Sequence, residues 1–459
     1  MKFLGRTNER KRLHTIIESN RQEVALLYGR RRVGKSALLK QVLSETKTPS
    51  LYYECKQTSE RNNVESISAL LAESLRLPPL AFNGIEPLLS YFFQRAEKTP
   101  SILVLDEYPY LRAAVPGLDS ILQSLIDRYA ESSKLHLILC GAFVDTMKSL
   151  LLAHNPLYGR ISLAMELRPM DYFEAADFYP SFSAEDKICI YSVFGGIPYY
   201  NRLIDPEKSV TCNLLDLIVS PGARLENEVQ FYLQSELSKF QNANEVFEAL
   251  ARGFYRYSDI LSQSHLSSPV LSNVLKRLLQ MEVVKKEIPI NDPNNRKRSG
   301  YTISDPLSAF YYRYLHRYAS QRQVMPPENF WNRYIANDFN ASYVPHFFET
   351  ICRQFLIRQN QHGRLSETFD LIGKYYYDLP AEHQNGEFDV VTKDRLGYAF
   401  YEAKFRKEPV TAAMIEHEIQ QVNATGLHCH QYGFFSRSGF ESTDRPDVVL
   451  YKLEDLYKS

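Results

Sequence analysis

The chain has 459 residues, of which 54 are Lys or Arg and 54 are Asp or Glu, so its formal net charge is zero. This length predicts about three domains, and a hydrophobic content of 44% is enough for packed cores. The balanced charge excludes a strong overall attraction to polyanions, so any nucleic-acid site must be a local basic patch.

The cysteines and the N-terminus indicate the compartment. The six cysteines are scattered without C-x-x-C pairs, which favours a reducing cytoplasm over a disulfide framework or a zinc knuckle. The first residues turn polar at once, and no run approaches the ~18 apolar residues of a membrane span. We therefore expect a cytoplasmic protein that makes no membrane contact.

The first motif is a glycine-rich loop between an apolar run at residues 24–28 and a helical stretch. It consists of Gly29, Arg30, Arg31, Arg32, Val33, Gly34, Lys35 and Ser36. In this strand–loop–helix context, backbone amides and the helix N-terminus surround a phosphate chain. Lys35 would reach the β- and γ-phosphates, and Ser36 would offer its hydroxyl to Mg²⁺. The motif predicts binding of ATP with Mg²⁺.

A second apolar run, residues 101–105, ends in Asp106 and Glu107. A continuous run of this kind is typical of a buried parallel strand, and ligands of open α/β sheets lie at the carboxyl ends of the strands. We expect Asp106 to hold the Mg²⁺ shell and Glu107 to orient or deprotonate the attacking water. The alternative is a strand that ends in a solvated acidic turn.

A third apolar run, residues 135–140, precedes a helical segment and a loop that ends in Arg160. An arginine at the end of a mobile loop is well placed to stabilise transition-state charge. The alternative is an ordinary surface arginine.

These pieces, in this order, resemble an archaeal-type AAA+ ATPase on the edge of the STAND class of signalling NTPases. The matching segments are residues 3–6 with Glu9 and Leu13, the phosphate loop, residues 106–111, 156–160 and 195–198. The resemblance implies an N-terminal box near the adenine and a helical lid that includes 195–198. It also implies a ring-forming homo-oligomer in which Arg160 reaches a neighbour's nucleotide, or a STAND-like monomer. Ala142 departs from the family, which usually has a serine or threonine there as phosphate sensor.

The pattern of apolar residues in the middle of the chain predicts short helices over 171–240, which we interpret as the lid. Three helices and a hairpin are predicted over 245–303. The latter order resembles a winged helix, with Ser268 as the N-cap of its third helix and Pro269 in the first turn. Its polar face and the hairpin loop carry the basic residues Lys276, Arg277, Arg296, Lys297 and Arg298. Basic residues on the third helix and in the hairpin loop favour contact with the major groove and the adjacent backbone of DNA. The alternative is a winged helix that makes only protein contacts. The aromatic helix at 305–315 is predicted to be core rather than a base-stacking platform.

After a linker at 321–328, three fragments carry acids: a helix with Glu349, a strand with Asp389, and a strand with Glu402 and Lys404. Residues two apart on a strand face the same way, and a neighbouring strand can bring Asp389 beside them. Asp389 and Glu402 would hold Mg²⁺ or Mn²⁺, which activates water. Lys404 would position that water or stabilise the leaving oxyanion, and Glu349 would complete the shell.

This order of a helical Glu, a strand Asp and Glu-x-Lys resembles the PD-(D/E)XK nuclease superfamily, and the C-terminal domain often fused to such ATPases. The resemblance implies a nuclease fold whose chemistry is either active or lost; a solvated sheet edge with ordinary ion pairs is the alternative. Gln420 and Gln421 are candidates to assist the site. His428 and His430, on one face of a strand, are a weak metal candidate.

The predicted architecture is therefore an α/β P-loop NTPase domain (1–170), an α-helical lid (171–240), a winged-helix domain (241–325) and an α/β PD-(D/E)XK nuclease-like domain (326–459). The first functional hypothesis is an ATPase that acts on nucleic acid, with a metal-dependent DNA nuclease coupled to it. The alternative is a nucleotide-driven, STAND-like regulatory switch whose nuclease-fold domain does not cut.

Overall fold

The computed structural model describes residues 3–237, 240–294, 299–379, 384–441 and 445–458. The chain divides into two compact units. The first contains Met1–Pro169 and Ile197–Tyr199, and the second contains Met170–Gly196 and Tyr200–Ser459. No helix within the described ranges combines the length and the apolar character that crossing a membrane requires.

The first unit is built on a five-stranded parallel sheet with the strand order β2-β3-β4-β1-β5. Its strands are β1 (Glu23–Tyr28), β2 (Ser50–Glu54), β3 (Ser101–Asp106), β4 (Leu135–Gly141) and β5 (Leu163–Glu166). Its helices are α1 (Thr7–Ile17), α2 (Lys35–Glu45), α3 (Glu60–Leu75), α4 (Ile85–Lys98), α5 (Tyr108–Ala114), α6 (Leu118–Arg128) and α7 (Val144–Ser149).

The three apolar runs are buried along their whole length, which shows that both faces of this sheet are covered. Successive side chains of a strand point to opposite faces. Leu103 and Leu105 of β3 therefore enter one hydrophobic core, while Ile102 and Val104 enter the other. Since all five strands are parallel, the ends of β1 and β3 that carry the phosphate loop and the two acids lie at the same edge.

The second unit begins with short helices. They are α8 (Tyr172–Ala175), α9 (Ala184–Phe194), α10 (Pro198–Asn201), which starts in the first unit, α11 (Val210–Leu214) and α12 (Glu228–Glu236). Three further helices and two strands follow: α13 (Phe240–Ala251), α14 (Tyr257–Ser264), α15 (Ser268–Gln280), β6 (Val284–Glu287) and β7 (Gly300–Ile303). The strands β6 and β7 pair antiparallel.

Helix α15 differs by one residue from the predicted start. Ser267, not Ser268, has the extended backbone of an N-cap, and the Ser268 hydroxyl lies 2.9 Å from the hydroxyl of Tyr257. Lys276 and Arg277 are exposed on this helix, as predicted. The predicted loop residues Arg296, Lys297 and Arg298 lie outside the described residues.

Aromatic helices connect this region to the C-terminal sheet. They are α16 (Pro306–Phe310), which continues as the π-helix Tyr311–His316, α17 (Ala319–Val324), α18 (Pro327–Phe330), α19 (Ala336–Asp338) and α20 (Val344–Gln361). The ring of Phe247 stacks on Tyr312 with centroids 4.6 Å apart. Phe310, Tyr312 and Tyr314 are buried, as expected of a core helix.

The C-terminal sheet has the order β12-β11-β10-β9-β8. Its strands are β8 (Leu371–Leu379), β9 (Gln384–Asp394), β10 (Gly397–Lys404), β11 (Cys429–Ser436) and β12 (Val448–Lys452), and α21 (Ala412–Ala424) joins β10 to β11. Strands β8, β9 and β10 are antiparallel, whereas β10, β11 and β12 are parallel. Parallel neighbours need a crossover connection, and α21 supplies the one between β10 and β11. Helix α20 packs against β8, β9 and β10.

Candidate functional site

The phosphate loop has the strand–loop–helix form that the sequence predicts, with β1 ending at Tyr28 and α2 beginning at Lys35. Two glycines are required by its geometry. A Cβ at Gly29, where φ is +153°, would lie 2.2 Å from the carbonyl oxygen of Leu167. Gly34 caps α2 with φ at +98°, a left-handed conformation that favours glycine.

Lys35 lies inside this loop. Its Nζ donates to the carbonyl oxygens of Gly29 at 2.8 Å and Arg30 at 3.0 Å, and the residue is only 6% exposed. Burial lowers the pKa of this ammonium. A phosphate oxygen that took the place of the two carbonyls would find a partly desolvated cation, whose attraction is stronger than in water.

Asp106 is the centre of a hydrogen-bonded group at the end of β3. Its Oδ2 accepts from the Ser36 hydroxyl at 2.6 Å and from the hydroxyl of Tyr52. Burial opposes ionisation of Asp106, but hydrogen bonds from Cys140, Ser36 and Tyr52 outweigh it and lower the pKa. An ionised carboxylate beside a hydroxyl is an all-oxygen donor set that fits Mg²⁺.

Sequence reasoning missed Tyr52. The residue lies on β2, which pairs with β3 so that Tyr52 is opposite Val104. Its partnership with Asp106 depends on which strand borders β3, and no local motif carries that information.

Glu107 adopts a left-handed backbone conformation with φ at 52°. For a residue other than glycine this costs about 1–3 kcal/mol, and such strain clusters at functional positions. Burial raises the pKa of Glu107, while the cation of Lys35 and a backbone hydrogen bond from Ala142 act in the opposite direction. At the position of the missing polar sensor, the backbone amide therefore interacts with the predicted catalytic acid.

The other residues around the loop have separate partners. Arg6 is buried and donates to the carbonyl oxygens of Val33 at 3.3 Å and Arg168 at 2.6 Å, which ties the N-terminal box to the loop. The Arg32 guanidinium lies 4.4 Å from the ring centroid of Tyr199. Tyr199 thus contacts the phosphate loop.

Arg160 is held by a bidentate ion pair. Its Nε and one terminal nitrogen lie 2.7 Å from the two carboxylate oxygens of Asp127. It also donates to the carbonyl oxygens of Pro156 and Tyr158. The structure thus brings Arg160 to Asp127 rather than to Lys35 or Asp106, and a role at a neighbour's nucleotide stays a prediction.

A second site lies on the C-terminal sheet. It draws Glu349 from α20, Asp389 from β9, and Glu402 and Lys404 from β10. Tyr401 pairs with Val390, so Asp389 and Glu402 are the next residues along this antiparallel pair. The Lys404 Nζ lies 2.7 Å from Glu402 Oε1.

The acids of this site act on one another. Burial, and next the negative charge of Asp389, raise the pKa of Glu349 to about 8. Burial also raises the pKa of Glu402, with Lys404 opposing and Asp389 contributing to the rise. The structure therefore brings the predicted acids close enough for the charge of Asp389 to raise the pKa of both Glu349 and Glu402.

A complete metal cage is not formed. Among the described residues, no three or more His, Cys, Asp or Glu side chains are grouped so that they hold a metal ion. Mg²⁺ usually takes only one or two carboxylates, with water and substrate phosphates as its other ligands. Asp389 and Glu402 fit that mode, whereas a protein shell completed by Glu349 is not present.

Sequence reasoning missed two further residues. Lys374 of β8 places its Nζ 3.0 Å from Asp389 and 2.7 Å from Glu387. Glu418 of α21 lies 2.9 Å from the Lys404 Nζ. A helical periodicity in which Ile415, Ile419 and Val422 are buried could have indicated that Glu418 borders the sheet.

The weaker candidates have other surroundings. Gln420 and Gln421 are exposed, and Gln421 lies 3.4 Å from a ring nitrogen of His417, so Glu418 rather than either glutamine reaches the site. The His430 ring nitrogen lies 2.9 Å from Asp394. His428 and His430 belong to no metal-binding group within the described part of the chain.

Comparison with known proteins agrees with the first unit's fold. Residues 3–203 match a family described as an ATPase domain predominantly from Archaea, and residues 311–421 match a family of archaeal and bacterial proteins of unknown function. An uncharacterized protein of Methanocaldococcus jannaschii is 27% identical over 464 residues, covering 99% of this chain and 100% of that protein.

Two solved structures are similar. A Walker-type ATPase of Pyrococcus abyssi has a TM-score of 0.52 and 19% identity, covering 68% of this chain and 96% of its own. The ORC2 protein of Aeropyrum pernix, solved as ADPNP–ADP complexes, has a TM-score of 0.50 and 12% identity, covering 70% and 96%. At these identities the similarity shows the fold. With the family match over residues 3–203, it confirms the predicted P-loop NTPase fold of the first unit.

Proposed function

We propose that this chain hydrolyses ATP and acts on nucleic acid, cutting DNA with a Mg²⁺-dependent centre on its C-terminal sheet. One observation carries the nuclease part of the proposal. Asp389, Glu402 and Lys404 lie on two neighbouring strands, and the pKa of Glu349, on the helix that packs against them, is raised by burial and then by the charge of Asp389.

The ATP reaction is assigned to the phosphate-loop residues. Lys35 binds the β- and γ-phosphate oxygens, and Ser36 and Asp106 are the residues that would hold Mg²⁺. When bound, the metal neutralises phosphate charge. Glu107 orients the attacking water or takes its proton, and burial, which raises its pKa, makes it a stronger base than an exposed glutamate.

The nuclease reaction is assigned to the C-terminal carboxylates. Asp389 and Glu402 would hold Mg²⁺, which supplies charge neutralisation and an activated water when bound. Burial opposes protonation of Lys404, but Glu402 and then Glu418 outweigh it and raise its pKa. Lys404 therefore stays an ammonium, which suits stabilisation of the leaving oxyanion better than removal of a proton from water.

Contact with DNA is assigned to the segment of three helices and a hairpin, which resembles a winged helix. Lys276 and Arg277 are exposed on its third helix, where cations meet phosphates or base edges in winged-helix proteins. The basic loop of Arg296, Lys297 and Arg298 is included in the proposed surface. Alanine at Lys276, Arg277, Arg296 and Arg298 together should weaken DNA binding and reduce its salt dependence.

The deciding experiment compares Asp389→Asn with Asp370→Asn, an exposed aspartate at the start of the same sheet. Full-length proteins are incubated with plasmid, linear duplex and single-stranded DNA, with Mg²⁺ and with or without ATP. We expect the wild type and Asp370→Asn to cut, and Asp389→Asn to hydrolyse ATP without cutting. A wild type that hydrolyses ATP but leaves every substrate intact would contradict the nuclease.

A nucleotide-driven switch is the second candidate, and one contact favours it. The ammonium of Lys374 already pairs with Asp389 at 3.0 Å, so the carboxylate required for metal binding has a protein partner. In this case ATP would change what the second unit binds, and turnover would be slow. Rapid multiple-turnover hydrolysis stimulated by DNA would argue against the switch.

A further inference from the structure

A cavity of about 690 Å³ lies in the second unit, next to the carboxylate site. Its volume is in the range of about 300–1,000 Å³ that ligand sites occupy. Lys374 lines this cavity and also contacts Asp389. Tyrosines and arginines form much of the remaining wall, among them Tyr255, Tyr318, Tyr334, Arg252 and Arg317.

A smaller cavity of about 130 Å³ adjoins the first. It is lined by Glu248, Tyr312 and His316, together with Arg252 and Arg317, which line the larger cavity as well. The two arginines therefore border both spaces.

The charge of these cavities favours an anion. The acids of the larger cavity are each paired with a cation: Asp338 with Arg313 at 2.7 Å, Glu387 with Lys374 at 2.7 Å and Glu287 with Lys285 at 2.8 Å. Arg252 and Arg317 are exposed. Glu248, which borders the smaller cavity, pairs with Arg252 at 3.6 Å and with His316 at 2.8 Å. Arg317 has no ion pair with any residue described here, so it is the cation of these walls that remains available to an anion.

The aromatic walls present ring surfaces. Tyr318 and Tyr334 lie with centroids 4.7 Å apart. Tyr255 is 49% exposed, and its ring covers Gly300, where a Cβ would lie 2.7 Å from the ring. Aromatic faces beside a cationic groove bind single strands by stacking with their bases, whereas bases inside a duplex are not available to such cavities.

We propose that these two cavities bind an unpaired stretch of nucleic acid and lead it to the carboxylate site. The phosphate between two successive bases lies against Arg252 and Arg317, and the bases occupy the aromatic spaces. The inference rests on the proposed action on nucleic acid and adds to it that the preferred substrate has a single-stranded end, flap or gap.

The test measures binding without metal, so that it does not depend on cutting. All proteins are full-length and carry Asp389→Asn, and the probes are labelled oligothymidine and oligouridine of roughly 12 nucleotides and a blunt hairpin duplex. We expect Arg252→Ala with Arg317→Ala to weaken single-strand binding about tenfold and to lower the slope of its salt dependence by about one. The matched control is Arg364→Ala, an exposed arginine elsewhere in the same unit.

A second pair of variants tests stacking while sparing the fold. Tyr255→Ala should weaken oligothymidine binding about fivefold, and Tyr255→Phe, which keeps the ring, should not. Thermal unfolding of each variant checks that the fold is intact. Stronger binding of one oligonucleotide identifies the strand as DNA or RNA.

Three results would overturn the inference: unchanged single-strand affinity in the arginine and Tyr255→Ala variants, an equal loss for the hairpin, or binding of a labelled mononucleotide as tight as that of the oligonucleotide. Single-strand binding that depends on these residues in a protein that never cuts would support the inference and refute the nuclease. If the wild type cuts DNA and the arginine and Tyr255→Ala variants cut it equally well, the nuclease would be supported and the inference refuted.

Discussion

The phosphate loop and the C-terminal carboxylate site are built in opposite ways. Residues 29–36 are consecutive, and the loop bonds to itself through Lys35, Gly29 and Arg30. The carboxylate site draws its side chains from five separate elements, which are α20, β8, β9, β10 and α21. A contiguous site is preorganised by its own backbone, whereas a dispersed site exists only once the sheet and both helices have assembled.

The two sites also differ in the ionisation of their carboxyl groups. Hydrogen bonds outweigh burial at Asp106, so its pKa is lowered and it is ionised without a ligand. At Glu349 burial and the charge of Asp389 act together and raise the pKa to about 8. Asp106 is therefore ionised and hydrogen-bonded before any ligand binds. Glu349 carries a proton at neutral pH, which a bound cation would displace.

The largest expected effect tests the self-contained loop. Lys35→Ala removes the only side-chain cation that the loop buries within the described residues, and with it the charge that stabilises the phosphates in the transition state. We expect ATP hydrolysis to fall about 100-fold or more, measured as phosphate release. Lys47→Ala, an exposed lysine after α2, is the control. Residual hydrolysis within a few-fold of the wild type would show that the phosphates bind elsewhere.

The next prediction concerns pH and the dispersed site. The folded pKa of Glu349, about 8, lies above its ordinary value of 4.5, so ionisation is disfavoured in the folded protein. Stability present below about pH 4.5 is lost as the pH rises to about 8. Glu349→Gln should remove this loss, which is on the order of 3 kcal/mol.

Urea unfolding without metal at several pH values measures this difference. Glu441→Gln, an exposed glutamate, controls for the lost charge and should keep the wild-type profile. Mg²⁺ should lower the pKa of Glu349 in the wild type and release protons on binding. Identical pH profiles for Glu349→Gln and the wild type would mean that Glu349 lies outside the field of Asp389.

The same contrast explains what the sequence could predict. The loop, Asp106 and Glu107 follow apolar runs that define buried strands, so local pattern was sufficient for them. The spacing of Glu402 and Lys404 was also sufficient to predict that they share one face of a strand. Tyr52 was not predictable in this way, because its contact with Asp106 requires the order in which β2, β3 and β4 assemble.

Lys374 and Glu418 were missed for a related reason. Their roles depend on β8 pairing with β9 and on the face that α21 turns to β10. The sequence showed an excess of acids at this site but not the cation that offsets it. Long-range pairing, rather than any local propensity, decides which lysine compensates Asp389.

The smallest expected effect tests that compensation. The Lys374 Nζ is 3.0 Å from Asp389, and the two side chains are 17% and 35% exposed. A partly screened pair of this kind contributes on the order of 1 kcal/mol. Lys374→Met should lower stability by about that amount in metal-free buffer, because Asp389 and Glu387 lose their cation. It should also tighten Mg²⁺ binding about fivefold, since the metal no longer competes with an ammonium.

Calorimetric titration with Mg²⁺ measures the affinity, and Lys393→Met, an exposed lysine on β9, removes the same charge without touching Asp389. If Lys374→Met gains Mg²⁺ affinity and Lys393→Met does not, Lys374 holds the position that the metal takes. Equal affinities in the wild type and Lys374→Met would mean that Lys374 and Mg²⁺ do not share Asp389. The pairing of Lys374 with Asp389 would then favour the non-cutting switch, because the carboxylate would be permanently neutralised by the protein itself.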